Sequence, residues 1–165
     1  MKNSGKKIIP IFILLHCFLF SSCASQPRLY EVMDRGIRIG RHSPDFHFEA
    51  INSPEKFEQA FKLIYSNVLP SPAVPQVDFQ EFFVFLASAG EKPTAGYGME
   101  LKKVTWQGDL LIIELFLNKP SPGTMQAQVL TNPFLLFKVK RAAEAKEVEV
   151  RDQNSRVLFT LHLHN

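Results

Sequence analysis

The chain has 165 residues, which is enough for one domain but hardly for two. It carries 19 Lys and Arg against 16 Asp and Glu, without the clustered positive charge that a nucleic-acid-binding surface needs. No cysteine follows Cys23, so a disulfide framework is excluded and a packed core must hold the domain together.

The first 22 residues have the layout of a secretory signal peptide. Three lysines precede an apolar run of 13 residues, Ile8–Phe20, and two serines lead from it to Cys23. This run is shorter than the roughly 20 apolar residues that cross a membrane as a helix. All three lysines would leave with the leader, and the remaining chain then has 16 residues of each charge.

The residues Phe20-Ser21-Ser22-Cys23 resemble a bacterial lipobox, in which the cysteine receives a lipid and becomes the new amino terminus. The resemblance implies a signal peptide at 1–22, a lipidated Cys23, a tether at 23–29 and attachment to a membrane through acyl chains. No acidic residue directly follows the cysteine, which by the same resemblance implies the cell envelope, at the outer membrane in a Gram-negative organism. The alternative is an ordinary cleaved signal in which Cys23 is incidental.

Residues 30–165 predict a single β-rich domain. Apolar and polar residues alternate within Tyr30–Ile39, most clearly at Gly36–Gly40, which predicts a first strand. The alternation returns at Phe46–Ala50 and predicts a second strand.

One amphipathic helix is predicted after the second strand. Ser53 suits the N-cap and Pro54 the first turn, and the helix is expected to end near Asn67. One face, which we expect to pack on a sheet, carries apolar residues at helical spacing: Phe57, Ala60, Phe61, Ile64 and Tyr65. The three prolines within 68–76 then predict an extended connection.

From Val77 onward the pattern is that of β-structure. The uninterrupted apolar run Phe82–Ala87 is typical of a central strand that is covered on both faces. Further strands are predicted at Tyr97–Val104, Leu110–Leu117, Gln126–Leu130, Phe134–Lys140, Glu147–Arg151 and Arg156–His164. The predicted fold class is mainly β (α+β), either an antiparallel sheet or a small sandwich of about seven to eight strands with one packed helix.

Three loops between these strands have special backbone chemistry. Pro93 fixes its own φ, and Gly96 is free to take the positive φ of a tight turn. Because loops carry function where strands carry stability, these loops supply the candidate partner-binding residues. They are Lys92, Pro93, Thr94, Ala95, Gly96, Tyr97, Pro120, Pro122, Gly123, Thr131, Asn132, Pro133 and Phe134. The alternative is that the loops are only tight turns.

The sequence contains no catalytic constellation, and no cofactor is expected. A Gly-rich phosphate loop, a nucleophile elbow and a histidine–carboxylate metal motif are all missing. His162 and His164 would share one face of a strand, but no third ligand is indicated, so no metal site is expected.

Four short motifs resemble, in their order, the carboxy-terminal domain of the protease complex subunit PrcB family. They are Val77-Asp78-Phe79, Gly90-Glu91-Lys92-Pro93-Thr94-Ala95-Gly96-Tyr97, Pro120-Ser121-Pro122-Gly123 and Leu130-Thr131-Asn132-Pro133-Phe134. The similarity covers residues 77–141, and the family usually has glycine where Ala95 stands. It implies a non-catalytic accessory role in a surface protease complex, and therefore an extracytoplasmic protein partner such as a protease.

A weaker similarity links Pro93, Thr94, Gly96 and Tyr97 to the loop of chagasin-type cysteine protease inhibitors, which are immunoglobulin-like sandwiches. Three classes of function therefore stay open: a partner-binding lipoprotein without enzymatic activity, a protease inhibitor, and a structural envelope lipoprotein. We expect the first of these.

Overall fold

The computed structural model describes residues 28–40 and 42–163. The predicted signal peptide, Cys23 and most of the tether at 23–29 lie outside these residues. Within the described part of the chain, no helix is long and apolar enough to cross a membrane.

Eight strands and one helix make up the described chain, which confirms the mainly β prediction. The strands are β1 Tyr30–Gly36, β2 His47–Ile51, β3 Phe82–Ser88, β4 Gly98–Gln107, β5 Leu110–Asn118, β6 Phe134–Lys140, β7 Glu147–Arg151 and β8 Val157–His162. The helix α1, Pro54–Ile64, lies between β2 and β3.

The strands form two sheets of four. The first sheet has the order β1-β6-β3-β2, and the second has the order β4-β5-β7-β8. Neighbouring strands are antiparallel except β5 and β7, which are parallel. This pair departs from the predicted antiparallel pattern because the chain after β5 crosses to the first sheet, forms β6 and then returns in the original direction.

The two sheets enclose the main core, so the domain is a sandwich. Alternate residues of β3 and β6, such as Phe85 and Phe137, point between the sheets and have no exposed surface. The second sheet contributes the facing residues Met99, Val104, Leu111, Ile113, Leu115, Val148 and Val150. Burying each such large side chain stabilises the fold by about 1.5–3 kcal/mol before the cost of ordering it.

Helix α1 covers the outer face of the first sheet. It begins as predicted at Ser53, whose hydroxyl accepts a hydrogen bond from the backbone N of Lys56 at 3.3 Å. Its buried residues form one apolar cluster with residues on the outer face of the first sheet. The helix contributes Phe57, Ala60, Phe61 and Ile64, and the sheet contributes Ile51, Val84, Leu86, Phe134 and Leu136. The first sheet is thus buried on both faces, which explains why β3 is apolar at nearly every position.

Two predicted strand positions are wrong. β1 ends at Gly36 and does not continue to Ile39, because its partner β6 begins at Phe134, directly opposite Gly36. Residues 126–130 form no strand, since no neighbouring strand pairs with them. Their polar groups enter local bonds instead, and the backbone N of Val129 bonds Ala127 O at 3.0 Å.

Tyr65 ties the end of the helix to β1. Its hydroxyl donates to Asp34 Oδ2 at 2.5 Å, and this bond raises the pKa of Tyr65 to about 12. Because the folded state holds the phenol proton more tightly, the stabilisation is complete below the unfolded pKa of about 10 and is lost as pH rises towards 12.

Replacing Tyr65 by phenylalanine is therefore expected to lower the free energy of unfolding by about 1.5–3 kcal/mol near pH 8. It should also reduce the loss of stability between about pH 9 and pH 11.5. Urea denaturation near pH 8, at pH 9 and at pH 11.5 checks both effects. Tyr30→Phe is the control, because the Tyr30 hydroxyl has no hydrogen bond within the described residues. Equal pH profiles for Tyr65→Phe and the unsubstituted protein would contradict the prediction.

Candidate functional site: three loops at one end of the sandwich

The three predicted loops lie together at one end of the sandwich. Lys92 and Thr131 form a two-way backbone bridge, in which Lys92 N bonds Thr131 O at 2.7 Å and Thr131 N bonds Lys92 O at 2.9 Å. The hydroxyl of Thr131 also donates to Thr94 O at 3.1 Å. Two loops that are far apart in the sequence are thereby joined by three hydrogen bonds.

The third loop docks on the same turn. The backbone N of Ala95 bonds Ala127 O at 3.0 Å. Gly96 lies so close to this loop that a Cβ there would be 2.7 Å from Gln126 Oε1 and 2.9 Å from Pro120 Cβ. Gly96 does not take the positive φ that its position in the turn suggested, and close packing is what requires glycine there.

The positive φ occurs at the start of the turn, at Gly90, where φ is +75°. Residues 42–45, which the sequence did not indicate as part of the site, pack against the turn at Gly90 and Glu91. Glu91 N bonds Ser43 O at 2.8 Å, and His42 Nδ1 lies 2.9 Å from Glu91 Oε1. No local motif marks this segment, since its contact with Glu91 spans nearly fifty residues of sequence.

The outer loop, residues 119–130, has its own internal bonds. Thr124 donates to Ser121 O from both its backbone N, at 3.2 Å, and its hydroxyl, at 2.7 Å. Gly123 takes a φ of +80° within this turn, and Gln126 Nε2 donates to Thr124 Oγ1 at 3.1 Å. We call these three joined loops, residues 90–97, 119–130 and 131–134, the loop cluster.

The predicted residues divide into an exposed set and a supporting set. Thr131 is 2% exposed and Asn132 is 4% exposed, and Pro133 and Phe134 are also buried. The outer surface is formed by the exposed Pro93, Gly96, Pro122 and Gly123 and by the half-buried Lys92, Thr94, Ala95, Tyr97 and Pro120. Two exposed apolar side chains, Met125 and Leu130, were not among the predicted residues, although they follow directly in the same loop.

The ammonium group of Lys92 forms hydrogen bonds to backbone carbonyl groups next to its own turn. Its Nζ donates to Ala89 O at 2.6 Å and to Glu91 O at 3.3 Å. Partial burial lowers the pKa of this amine, and the nearby Asp45 carboxylate opposes that effect. The lysine therefore stabilises the turn and does not project freely from it.

Polar and charged groups lie beside the loop cluster. A cleft of about 220 Å³ beside it is lined by residues that include Arg38, His42, Glu91 and Asn132. His42 is largely exposed, and its Nδ1 contacts the Glu91 carboxylate at 2.9 Å. Among those residues no group of three His, Cys, Asp or Glu side chains could hold a metal ion, and His164 lies outside them.

The sandwich with its loop cluster defines a β-domain that presents a braced surface of loops. The family model described as PrcB C-terminal matches residues 83–140, from β3 to β6, and this segment contains the whole loop cluster. The predicted resemblance to that family is thereby confirmed over about the predicted range. PrcB C-terminal is an accessory-type domain and not a known catalytic family, and the match suggests a role associated with a protease complex.

Searches of curated proteins and of solved structures gave no match. Strands β1, β2, β7 and β8 and helix α1 lie outside the matched segment.

Proposed function

We propose that this protein is a membrane-anchored extracytoplasmic lipoprotein that binds a protein partner through the loop cluster, as a non-catalytic accessory subunit of a surface protease complex. The observation that carries the proposal is the joining of two sequence-distant segments, 90–97 and 119–134, into one surface of three loops within the segment that matches PrcB C-terminal.

The loop cluster is braced before any partner binds. The Lys92–Thr131 bridge, the bond from Thr131 to Thr94 and the bond from Ala95 to Ala127 restrict all three loops. A surface that is already ordered loses less conformational entropy on association, so more of the contact energy is available as affinity.

The outer loop supplies a neutral, partly apolar contact surface. Residues 120–134 contain no charged side chain. Met125 is 100% exposed and Leu130 is 55% exposed, and Pro93 and Pro122 lie exposed in the same cluster. Protein interfaces are depleted in charge at their centres and enriched in methionine, so the chemistry fits a partner with an uncharged, apolar contact site.

The proposed anchor would hold the sandwich near the membrane. Six residues, 24–29, lie between Cys23 and the start of β1 at Tyr30, which makes seven Cα–Cα steps. Even fully extended, a tether of that length reaches only about 25 Å. The partner would therefore be expected at the membrane surface as well.

Met125→Glu is expected to reduce recovery of the partner at least tenfold, because a charge at the centre of an apolar contact must lose its water without gaining a counter-ion. The full-length tagged protein would be crosslinked in its own cells, purified and compared with the variant by quantitative mass spectrometry. The matched control is Leu69→Glu, since Leu69 is 94% exposed in the proline-rich connection outside the loop cluster.

Loss of the same partner from Met125→Glu but not from Leu69→Glu is the expected result. The proposal is overturned if both variants recover every partner at the level of the unsubstituted protein, or if the protein crosslinks to no discrete partner.

Cys23→Ser tests the anchor separately. The substitution removes the thiol that would carry the lipid, so the protein is expected to lose incorporation of an alkynyl fatty acid and to leave the membrane fraction. Cys17→Ser, within the apolar run of the leader, is the control and should change neither result. Unchanged lipid incorporation in Cys23→Ser would remove the lipoprotein from the proposal without affecting the loop cluster.

A further inference from the structure

A second cavity lies at the opposite end of the sandwich from the loop cluster. It has a volume of about 270 Å³ and opens where β2, β8 and the start of β3 meet. Phe83 of β3 lines this cavity, whereas the loop cluster follows the other end of β3. Since a strand rises about 3.3 Å per residue, the two sites are separated by roughly 20 Å.

The floor of the cavity is apolar. Phe48 and Phe83 are 2% and 5% exposed, and the half-buried Leu161 and Leu163 complete the floor. Phe48 is held from below by Phe85, whose ring centroid is 5.3 Å away, and from the side by Phe159 at 5.9 Å. The space is therefore bounded by fixed aromatic rings that a small apolar group could contact.

The rim of the cavity is cationic. The Arg141 guanidinium lies over the Phe83 ring, 4.0 Å from its centroid, and its Nε bonds Phe82 O at 3.4 Å. This contact fixes the guanidinium, yet it has no carboxylate partner within the described residues. Its remaining N–H groups can therefore donate to a ligand.

Lys56 adds a second cation at the same rim. It lies in the first turn of α1, where the helix dipole already produces positive potential, and it too makes no ion pair within residues 28–40 and 42–163. The opposing charge on the rim is Glu49, whose Oε1 is 3.7 Å from His47 Nε2. His162, exposed on β8, completes the polar edge.

We propose that this cavity binds a small amphiphile that carries a single carboxylate, with its apolar chain on the Phe48–Phe83 floor and its carboxylate between Arg141 and Lys56. A cavity of about 150 Å³ holds a benzene molecule, so a ligand of about ten non-hydrogen atoms suits this volume. An extended peptide would need a longer groove. The proposal is independent of the loop cluster and of its partner.

Octanoate is the probe, titrated by calorimetry into the full-length chain in lipid nanodiscs, with empty nanodiscs subtracted. We expect submillimolar binding, and at least tenfold weaker binding of octanol, which has the same chain and no charge. Arg141→Gln should weaken octanoate at least tenfold, because a charge-assisted hydrogen bond is lost. Lys56→Gln should weaken it about threefold or more.

Two further variants separate the cavity from general effects. Ala50→Leu, which keeps every charge and fills part of the cavity, should weaken octanoate at least tenfold. Lys62→Gln, on the same helix but paired with Glu58 away from the cavity, should leave the affinity unchanged. Thermal unfolding of each variant shows whether it folds, and if Arg141→Gln does not, Lys56→Gln and Ala50→Leu decide.

The inference is overturned by any of three results with folded protein. One is a dissociation constant for octanoate weaker than about 1 mM. The second is equal affinity for octanol and octanoate. The third is unchanged octanoate binding by the Arg141 variant or, if that variant does not fold, by the Lys56 and Ala50 variants.

Discussion

Replacing Gly90 by alanine is expected to lower the free energy of unfolding by roughly 2–5 kcal/mol. Two costs combine at this position. Gly90 has a φ of +75°, which is strained for any residue with a Cβ, and a Cβ there would lie 2.4 Å from Pro44 O and 2.7 Å from Asp45 O. Both contacts are to backbone atoms, so relief requires residues 44–45 and the turn at Gly90 to separate.

Gly108→Ala is the matched control. Gly108 also has a positive φ, +64°, but a Cβ there would meet nothing within 4 Å. It should therefore cost only the backbone strain, about 1 kcal/mol. Urea denaturation of both variants measures the difference, and equal losses would show that residues 42–45 do not brace the turn.

Gly90→Ala also has an expected effect on function under the proposed role. Displacing the turn moves Glu91 and Lys92, and with them the bridge to Thr131. We expect less recovered partner from Gly90→Ala than from Gly108→Ala under conditions where both variants stay folded.

Replacing Phe85 by alanine is expected to destabilise the domain by about 3–5 kcal/mol. Phe85 has no exposed surface and lies between the two sheets, where its ring is 5.3 Å from that of Phe48 and 5.5 Å from that of Phe137. Removing it leaves a cavity between the sheets that the surrounding packed side chains can fill only in part.

Phe116→Ala provides the comparison, since Phe116 is half-buried on the second sheet with Lys102 Nζ 4.8 Å from its ring centroid. The same change there should cost only about 1 kcal/mol, because water can fill the space. Chemical denaturation of the two variants and of the unsubstituted protein would measure both losses of unfolding free energy. A similar cost at the two positions would contradict the assignment of Phe85 to the core of a sandwich.

Many features of the domain could be predicted from the sequence because they depend on neighbouring residues. Ser53 and Pro54 mark the start of the helix through bonds and backbone angles that lie within one turn. The apolar run at Phe82–Ala87 shows that this strand is covered twice, since each face of a strand is read from alternate residues. The positions of the three loops follow from their proline and glycine residues in the same way.

Other features depend on partners that are remote in the sequence. Residues 126–130 have the composition of a strand, yet no neighbour pairs with them, so they became a loop. Gly96 was expected to adopt a positive φ, whereas its close packing against Gln126 and Pro120 is what requires glycine at this position. Local composition cannot show either outcome, because both depend on which segment lies alongside.

The sequence by itself determined a β-rich domain with one capped helix, the positions of its turns and the similarity to PrcB C-terminal. Only the tertiary structure decided that the strands form a sandwich with one parallel pair, that Thr131–Phe134 are buried supports, and that Lys92 and Thr131 join their loops. The physical reason is the distance along the chain over which each interaction acts. Propensity and capping act over a few residues, whereas strand pairing and burial are chosen by the free energy of the whole chain.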